Sequence, residues 1–183
     1  MPKEFNPLRL DVQAFAEDGA HLSGTSSVGR CERLASETEG RGLEHVVRWN
    51  ARGELRNPAH VHPEVWLHLE ADTLLSLTCQ RCLTPVDTPV SVQRSFRFVA
   101  DEATALAQDD EAEEDLLALS RQFDLPALVE DEILMEMPLV PRHEHCPVPV
   151  RLATEGVDES ENAAAVQNPF AILGSLKGRG SDS

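Results

Sequence analysis

Val65-Trp66-Leu67-His68-Leu69-Glu70-Ala71-Asp72-Thr73-Leu74-Leu75-Ser76-Leu77-Thr78-Cys79-Gln80-Arg81-Cys82-Leu83-Thr84-Pro85, continued by Val90-Ser91-Val92-Gln93-Arg94-Ser95-Phe96-Arg97-Phe98, is the stretch that decides the fold. Val65, Leu67 and Leu69 alternate with Trp66, His68 and Glu70, and Leu75, Leu77 and Cys79 alternate with Ser76 and Thr78. Val90, Val92, Phe96 and Phe98 then alternate with Ser91, Gln93, Ser95 and Arg97, the clearest strand pattern in the chain. Period-two alternation on both sides of a short Cys-x-x-Cys segment predicts a β-hairpin with a thiol-bearing knuckle.

Outward from that hairpin, Leu43, His45, Val47 and Trp49 predict a further strand, and His21 to about Ser36 a weaker one. Ala51-Arg52-Gly53 and Asn57-Pro58 read as breaks. Asn6-Pro7 before Leu8, Val12 and Phe15 predicts a short capped helix ending at Asp18-Gly19. Strands at short spacing without intervening helices make the fold class α+β, with an antiparallel sheet that could curl toward a barrel.

After the sheet, residues 100–115 are acidic and predict an extended loop. Asp124-Leu125-Pro126 starts an amphipathic helix in which Leu125, Leu128, Val129, Ile133 and Met137 share a face, stopped by Pro138. Glu130, Asp131 and Glu132 lie on its other side, as a solvated face or as a docking face for a basic partner. Residues 1–150 are therefore expected to form one domain, 151–167 a flexible linker, and 168–183 a tethered amphipathic helix and tail. Phe170 and Leu173 would be the contact residues of that helix, against its own sheet or in a partner groove.

The net charge is −16 with a pI of about 4.7, and Asp101 to Met137 holds 13 acidic residues against Arg121 alone. With two lysines in the chain, broad phosphate binding is disfavoured and basic proteins, such as those of the ribosome, are the favoured partners. A local group, Arg30, Arg33, Arg41, Arg48, Arg52 and Arg56, could still touch phosphate, so direct RNA contact stays open. No window reaches the roughly 18 apolar residues of a membrane span, and the start lacks a secretory core, so a reduced, cytoplasmic protein is expected.

Cys79 and Cys82 could hold a structural zinc if Cys146 and a histidine, His145 or His143, converge on them as Cys₃His. The alternatives are a metal-free knuckle with reduced thiols, or a redox dithiol, which would need a helix start that Pro85 and Pro89 disfavour. His60 and His62, between Pro58 and Pro63, read as surface histidines. No phosphate loop, HExxH or GxSxG is present, so no catalytic residue and no small-molecule substrate are expected.

Four pieces carry a family resemblance: Leu77-Thr78-Cys79-Gln80-Arg81-Cys82-Leu83-Thr84-Pro85, Leu128-Val129-Glu130-Asp131-Glu132-Ile133-Leu134, Met137-Pro138-Leu139-Val140-Pro141-Arg142-His143-Glu144-His145-Cys146, and Asn168-Pro169-Phe170-Ala171-Ile172-Leu173 with Leu176-Lys177. Together they resemble the YceD family, the large ribosomal RNA subunit accumulation proteins. The resemblance implies a non-enzymatic role in synthesis, processing or stability of large-subunit (23S) ribosomal RNA, with ribosomal or RNA-processing proteins as partners. Many relatives carry two or more cysteines downstream, where this chain has only Cys146 beside His143 and His145. An adapter with a structural zinc and no RNA role, and a zinc- or thiol-dependent enzyme, are the competing readings.

Overall fold

Among the described residues, the strands form one five-stranded sheet in sequence order, β1 (His21–Ser27), β2 (Val46–Arg56), β3 (Glu64–Thr78), β4 (Pro85–Val99) and β5 (Asp115–Ala118). The computed structural model describes residues 4–109 and 111–148, which fall within the unit Met1–Val148. β1 to β4 pair antiparallel, but β5 runs parallel to β4, with Phe96 opposite Asp115 and Val99 opposite Ala118. The sheet is open, with β1 and β5 at its edges, so it does not close into a barrel. The expected linker 151–167 and terminal helix 168–183, with Phe170 and Leu173, lie outside the described residues.

The long β3–β4 hairpin is the spine. Its register runs from Val65 opposite Phe98 to Thr78 opposite Pro85. Val65, Leu67, Leu69, Leu75, Leu77, Val90, Val92, Phe96 and Phe98 are all buried on one face, as the alternation requires. Onto that face pack α1 (Val12–Glu17), through Val12, Phe15 and Ala16, and α4 (Leu125–Glu136), through Leu125, Val129 and Ile133. Each buried Leu, Ile or Phe removes apolar surface worth about 1.5–3 kcal/mol.

The N-terminal helix is two pieces: a 3₁₀ turn, Pro7–Arg9, capped by Asn6, and α1, capped by Asp11. The break falls at Leu10, whose backbone exchanges hydrogen bonds of 2.8 and 2.9 Å with Phe123. β1 stops at Ser27, and the expected strand gives way to a second helix, α2 (Glu32–Glu37). β2 runs through Ala51-Arg52-Gly53 without a break. A Cβ on Gly53 would meet the Phe15 carbonyl oxygen at 2.6 Å, so that glycine admits α1 rather than ending the strand. The acidic loop contains α3 (Glu102–Gln108), started by Asp101, whose side chain accepts from the Thr104 N–H at 2.8 Å. A capping aspartate outweighs the charge repulsion there.

Candidate metal centre

The β3–β4 connection, Cys79 to Thr84, is a knuckle fixed by its own backbone. The Cys79 N–H donates to the Thr84 carbonyl at 3.0 Å and the Leu83 N–H to the Cys79 carbonyl at 2.9 Å. Leu83 takes the left-handed conformation, φ +59°, which such a tight closure requires and which costs a side-chain-bearing residue about 1 kcal/mol. Just below, Arg41 donates to the Thr78 hydroxyl at 2.6 Å and to Glu39 at 2.8 Å, clasping the end of β3.

Pro138 ends α4, and the extended chain beyond it returns to the knuckle, where the Gln80 N–H donates to the Pro141 carbonyl at 2.9 Å. That register delivers His143 and Cys146 to the thiols. Cys79, Cys82, His143 and Cys146 offer ligand atoms that all lie within 4.8 Å of one another. Cys79 Sγ and Cys146 Sγ are 4.0 Å apart, and Cys82 Sγ and His143 Nδ1 are 3.4 Å apart. A tetrahedral zinc with bonds of about 2.3 Å to sulfur and 2.0–2.1 Å to nitrogen has ligand–ligand edges of about 3.5–3.8 Å. The four residues therefore fit a metal ion with only small side-chain adjustment.

His145, offered as the fourth ligand, is not in this group. The chain bends at Glu144 and His145, so that residues 143 and 146 face the knuckle while His145 is exposed. His60 and His62 are also exposed, in the β2–β3 connection, where the His62 N–H donates to His60 Nδ1 at 3.3 Å.

Arg81 is the residue that sequence spacing did not single out. Its Nε–H donates to Cys146 Sγ at 3.0 Å, and its Nη2 donates to the carbonyls of His143 and Glu144 at 3.1 and 3.3 Å. It thus ties the two halves of the site together and sets a positive charge against the Cys146 sulfur. Its only sequence signal was its place inside the Cys-x-x-Cys.

Burial is the largest influence on Cys79 and raises its pKa. Hydrogen bonds from the backbone of His143, Cys82 and Arg81 and from the His143 ring outweigh it, bringing the thiol down to about 5. The Thr84 hydroxyl lowers the Cys82 thiol against its desolvation. His143 is raised, first by its hydrogen bond to Cys79 and then by Cys82, against desolvation. Burial raises Cys146, with Arg81 acting in the opposite sense. Thiolates are thus favoured at Cys79 and Cys82, as metal binding needs, whereas Cys146 and His143 hold their protons more tightly and would release them to a metal.

Of the α4 carboxylates read as a solvated or a docking face, Asp131 is half exposed, while Glu130 and Glu132 are largely turned into the fold. Glu130 and Glu132 have side chains only 14% exposed. Glu130 and Asp131 engage Arg33, and Glu132 lies 3.6 Å from Arg94. Of the six arginines read as able to touch phosphate, Arg33, Arg41, Arg48, Arg52 and Arg56 each pair with a carboxylate of this chain, whereas Arg30 is in none of the ion pairs among the described residues.

The family model for the large ribosomal RNA subunit accumulation protein YceD matches residues 67–177, a span that begins in β3 and contains all four potential ligands. A Haemophilus influenzae protein named large ribosomal RNA subunit accumulation protein YceD is 30% identical over 183 residues, 97% of this chain and 99% of the relative. The chain belongs to the YceD family. No solved structure matches it. As a YceD-family member the chain carries the knuckle, the α4 segment and the return segment within the matched span, in the order that brings the Cys/His group together. No described helix is long and apolar enough to cross a membrane.

Proposed function

We propose that this chain is a non-enzymatic factor that promotes accumulation of large-subunit ribosomal RNA, working mainly through contacts with basic ribosomal or RNA-processing proteins. The observation that carries the reading is the end-to-end match, 97% of this chain and 99% of the relative, to a protein named for that role. Charge supports protein rather than RNA contacts. The chain bears −16 overall, and the arginines of β2 are already paired. A cytoplasmic location fits the same reading.

In this proposal Cys79, Cys82, His143 and Cys146 hold one structural zinc. Three thiolates and one imidazole complete a tetrahedron with no position left for water, the pattern of a structural rather than a catalytic site. Zinc would pin the segment after α4 to the hairpin, and Arg81 would offset the surplus negative charge of three thiolates on a divalent ion.

Deleting the gene tests the function. The expected result is a lower ratio of large- to small-subunit ribosomal RNA, restored by the intact gene. An unchanged ratio and unchanged subunit profiles, during both optimal and cold growth, would remove the proposal. Affinity capture at low and then high salt tests the mode of contact: proteins should be lost as salt rises, whereas salt-resistant RNA without protein would contradict it.

A further inference from the structure

The sulfurs of the metal centre are close enough to react with one another. Cys79 Sγ and Cys146 Sγ are 4.0 Å apart across a separation of 67 residues. A disulfide holds its sulfurs at about 2.0 Å, so bond formation asks an approach of about 2 Å, shared between two side chains on separate segments. The two thiols differ in access. Cys79 is fully buried, whereas Cys146 is half-exposed with the Arg81 Nε–H at 3.0 Å from its sulfur. The third sulfur of the cluster, Cys82 Sγ, is engaged by the Thr84 hydroxyl at 3.1 Å and by His143 Nδ1 at 3.4 Å, and lies within 4.8 Å of the other two.

We propose that Cys79 and Cys146 form a peroxide-sensitive switch on the metal centre, in which oxidation joins the two sulfurs and dismantles the site. This rests on the reading that the four residues hold a metal. The accessible Cys146 sulfur, a thiolate when it ligates the metal, attacks one oxygen of hydrogen peroxide. The O–O bond breaks, the departing hydroxide takes a proton and leaves as water, and Cys146 becomes a sulfenic acid. The Cys79 thiolate then attacks that sulfur. The S–S bond forms, the S–O bond breaks, and the second hydroxide leaves as water. Two thiols lose two electrons and two protons, and one peroxide is reduced to two waters.

The buried position of Cys79 gives the sulfenic sulfur a thiol neighbour on its protected side, which favours the disulfide over further oxygen addition. Cys82 and His143 alone remain as donors, half of the four that a structural zinc needs. The cross-link meanwhile keeps the segment after α4 tied to the hairpin. Metal is released without release of the segment.

The test uses the full chain carrying Cys31→Ser, which removes the one thiol outside the centre. The chain is loaded with zinc under reducing conditions and freed of excess metal. A chain that holds no zinc at this stage ends the metal reading and the switch with it. Hydrogen peroxide in slight excess is then added beside a chromogenic chelator. The expected result is release of the bound zinc, a mass about 2 Da lower than the reduced chain, a peptide linking Cys79 to Cys146, and renewed zinc uptake after thiol reduction. Zinc retained through that exposure overturns the switch while leaving the metal reading intact. So does zinc lost with a Cys79–Cys82 link or with added oxygen in place of a disulfide. The variant Cys82→Ala, shown folded by circular dichroism, keeps both switch sulfurs and should still form the link; a folded variant that does not form it also overturns the pairing.

Discussion

Glu130 caps the helix that contains Arg33. Its Oε1 accepts the backbone N–H of Arg33 at 2.8 Å and that of Leu34 at 3.2 Å, and its Oε2 lies 3.4 Å from the Arg33 guanidinium. The residue at the N-cap position itself, Cys31, makes no side-chain capping bond. A carboxylate from α4 therefore does for α2 what a local Ser or Asp does elsewhere, satisfying two orphan donors and opposing the helix dipole. Glu130→Ala should destabilise the chain by about 1–2 kcal/mol, and Glu130→Gln, which keeps an acceptor, by less. Urea unfolding of the two variants checks this; equal midpoints for both and the parent would mean that the cap contributes nothing.

Glu132 gives a pH signature. Burial is the main reason its carboxyl is raised, helped by Asp115, Asp131 and Glu136 and opposed by Arg94. A folded pKa above the unfolded value contributes stability that is present below the unfolded value, about 4.3, and is lost as pH rises through the folded one. Glu132→Gln stays neutral throughout. It should therefore be more stable than the parent at pH 7, with the gap closing as the pH falls below about 4. Denaturation midpoints at both pH values decide, and a variant less stable than the parent at pH 7 would show that the Arg94 contact outweighs burial.

Gly53 is set by close approach. A Cβ there would lie 2.6 Å from the Phe15 carbonyl oxygen and 2.8 Å from Ala16 Cα, both backbone atoms that cannot swing aside. Gly53→Ala should push α1 off the sheet at about 1–3 kcal/mol, visible as a lowered thermal midpoint. An unchanged midpoint would mean that α1 shifts freely.

His143 and His145 separate cleanly by substitution. His143→Ala should weaken zinc binding by more than about 100-fold, beyond the range of outer-shell changes, and Arg81→Ala by about 10–100-fold. His145→Ala should leave it unchanged. Competition with a chelating dye measures all three. Equal losses for the two histidine variants would contradict the placement of the bend.

What could be read from the residues follows from how local each signal is. The β3–β4 hairpin and α4 were legible because their alternation, cap and stop signals all lie within the element. α2 was not, because its cap comes from Glu130, 97 positions downstream. The break expected at Gly53 misread a glycine demanded by packing as one demanded by a turn. β5 is four residues long and pairs parallel, and neither fact leaves a pattern in an acidic segment. The three cysteines of the site were visible as soft ligands. The choice between the two histidines was not, since it depends on the backbone bend at Glu144 and His145.

The metal content of the reduced, purified chain, measured by native mass spectrometry, bears most directly on the reading of this fold as a scaffold closed by a Cys/His centre. We expect a single zinc per chain, lost in the Cys79→Ser variant together with thermal stability. A metal-free chain with all four thiols intact and an unchanged melting point in chelator would contradict it.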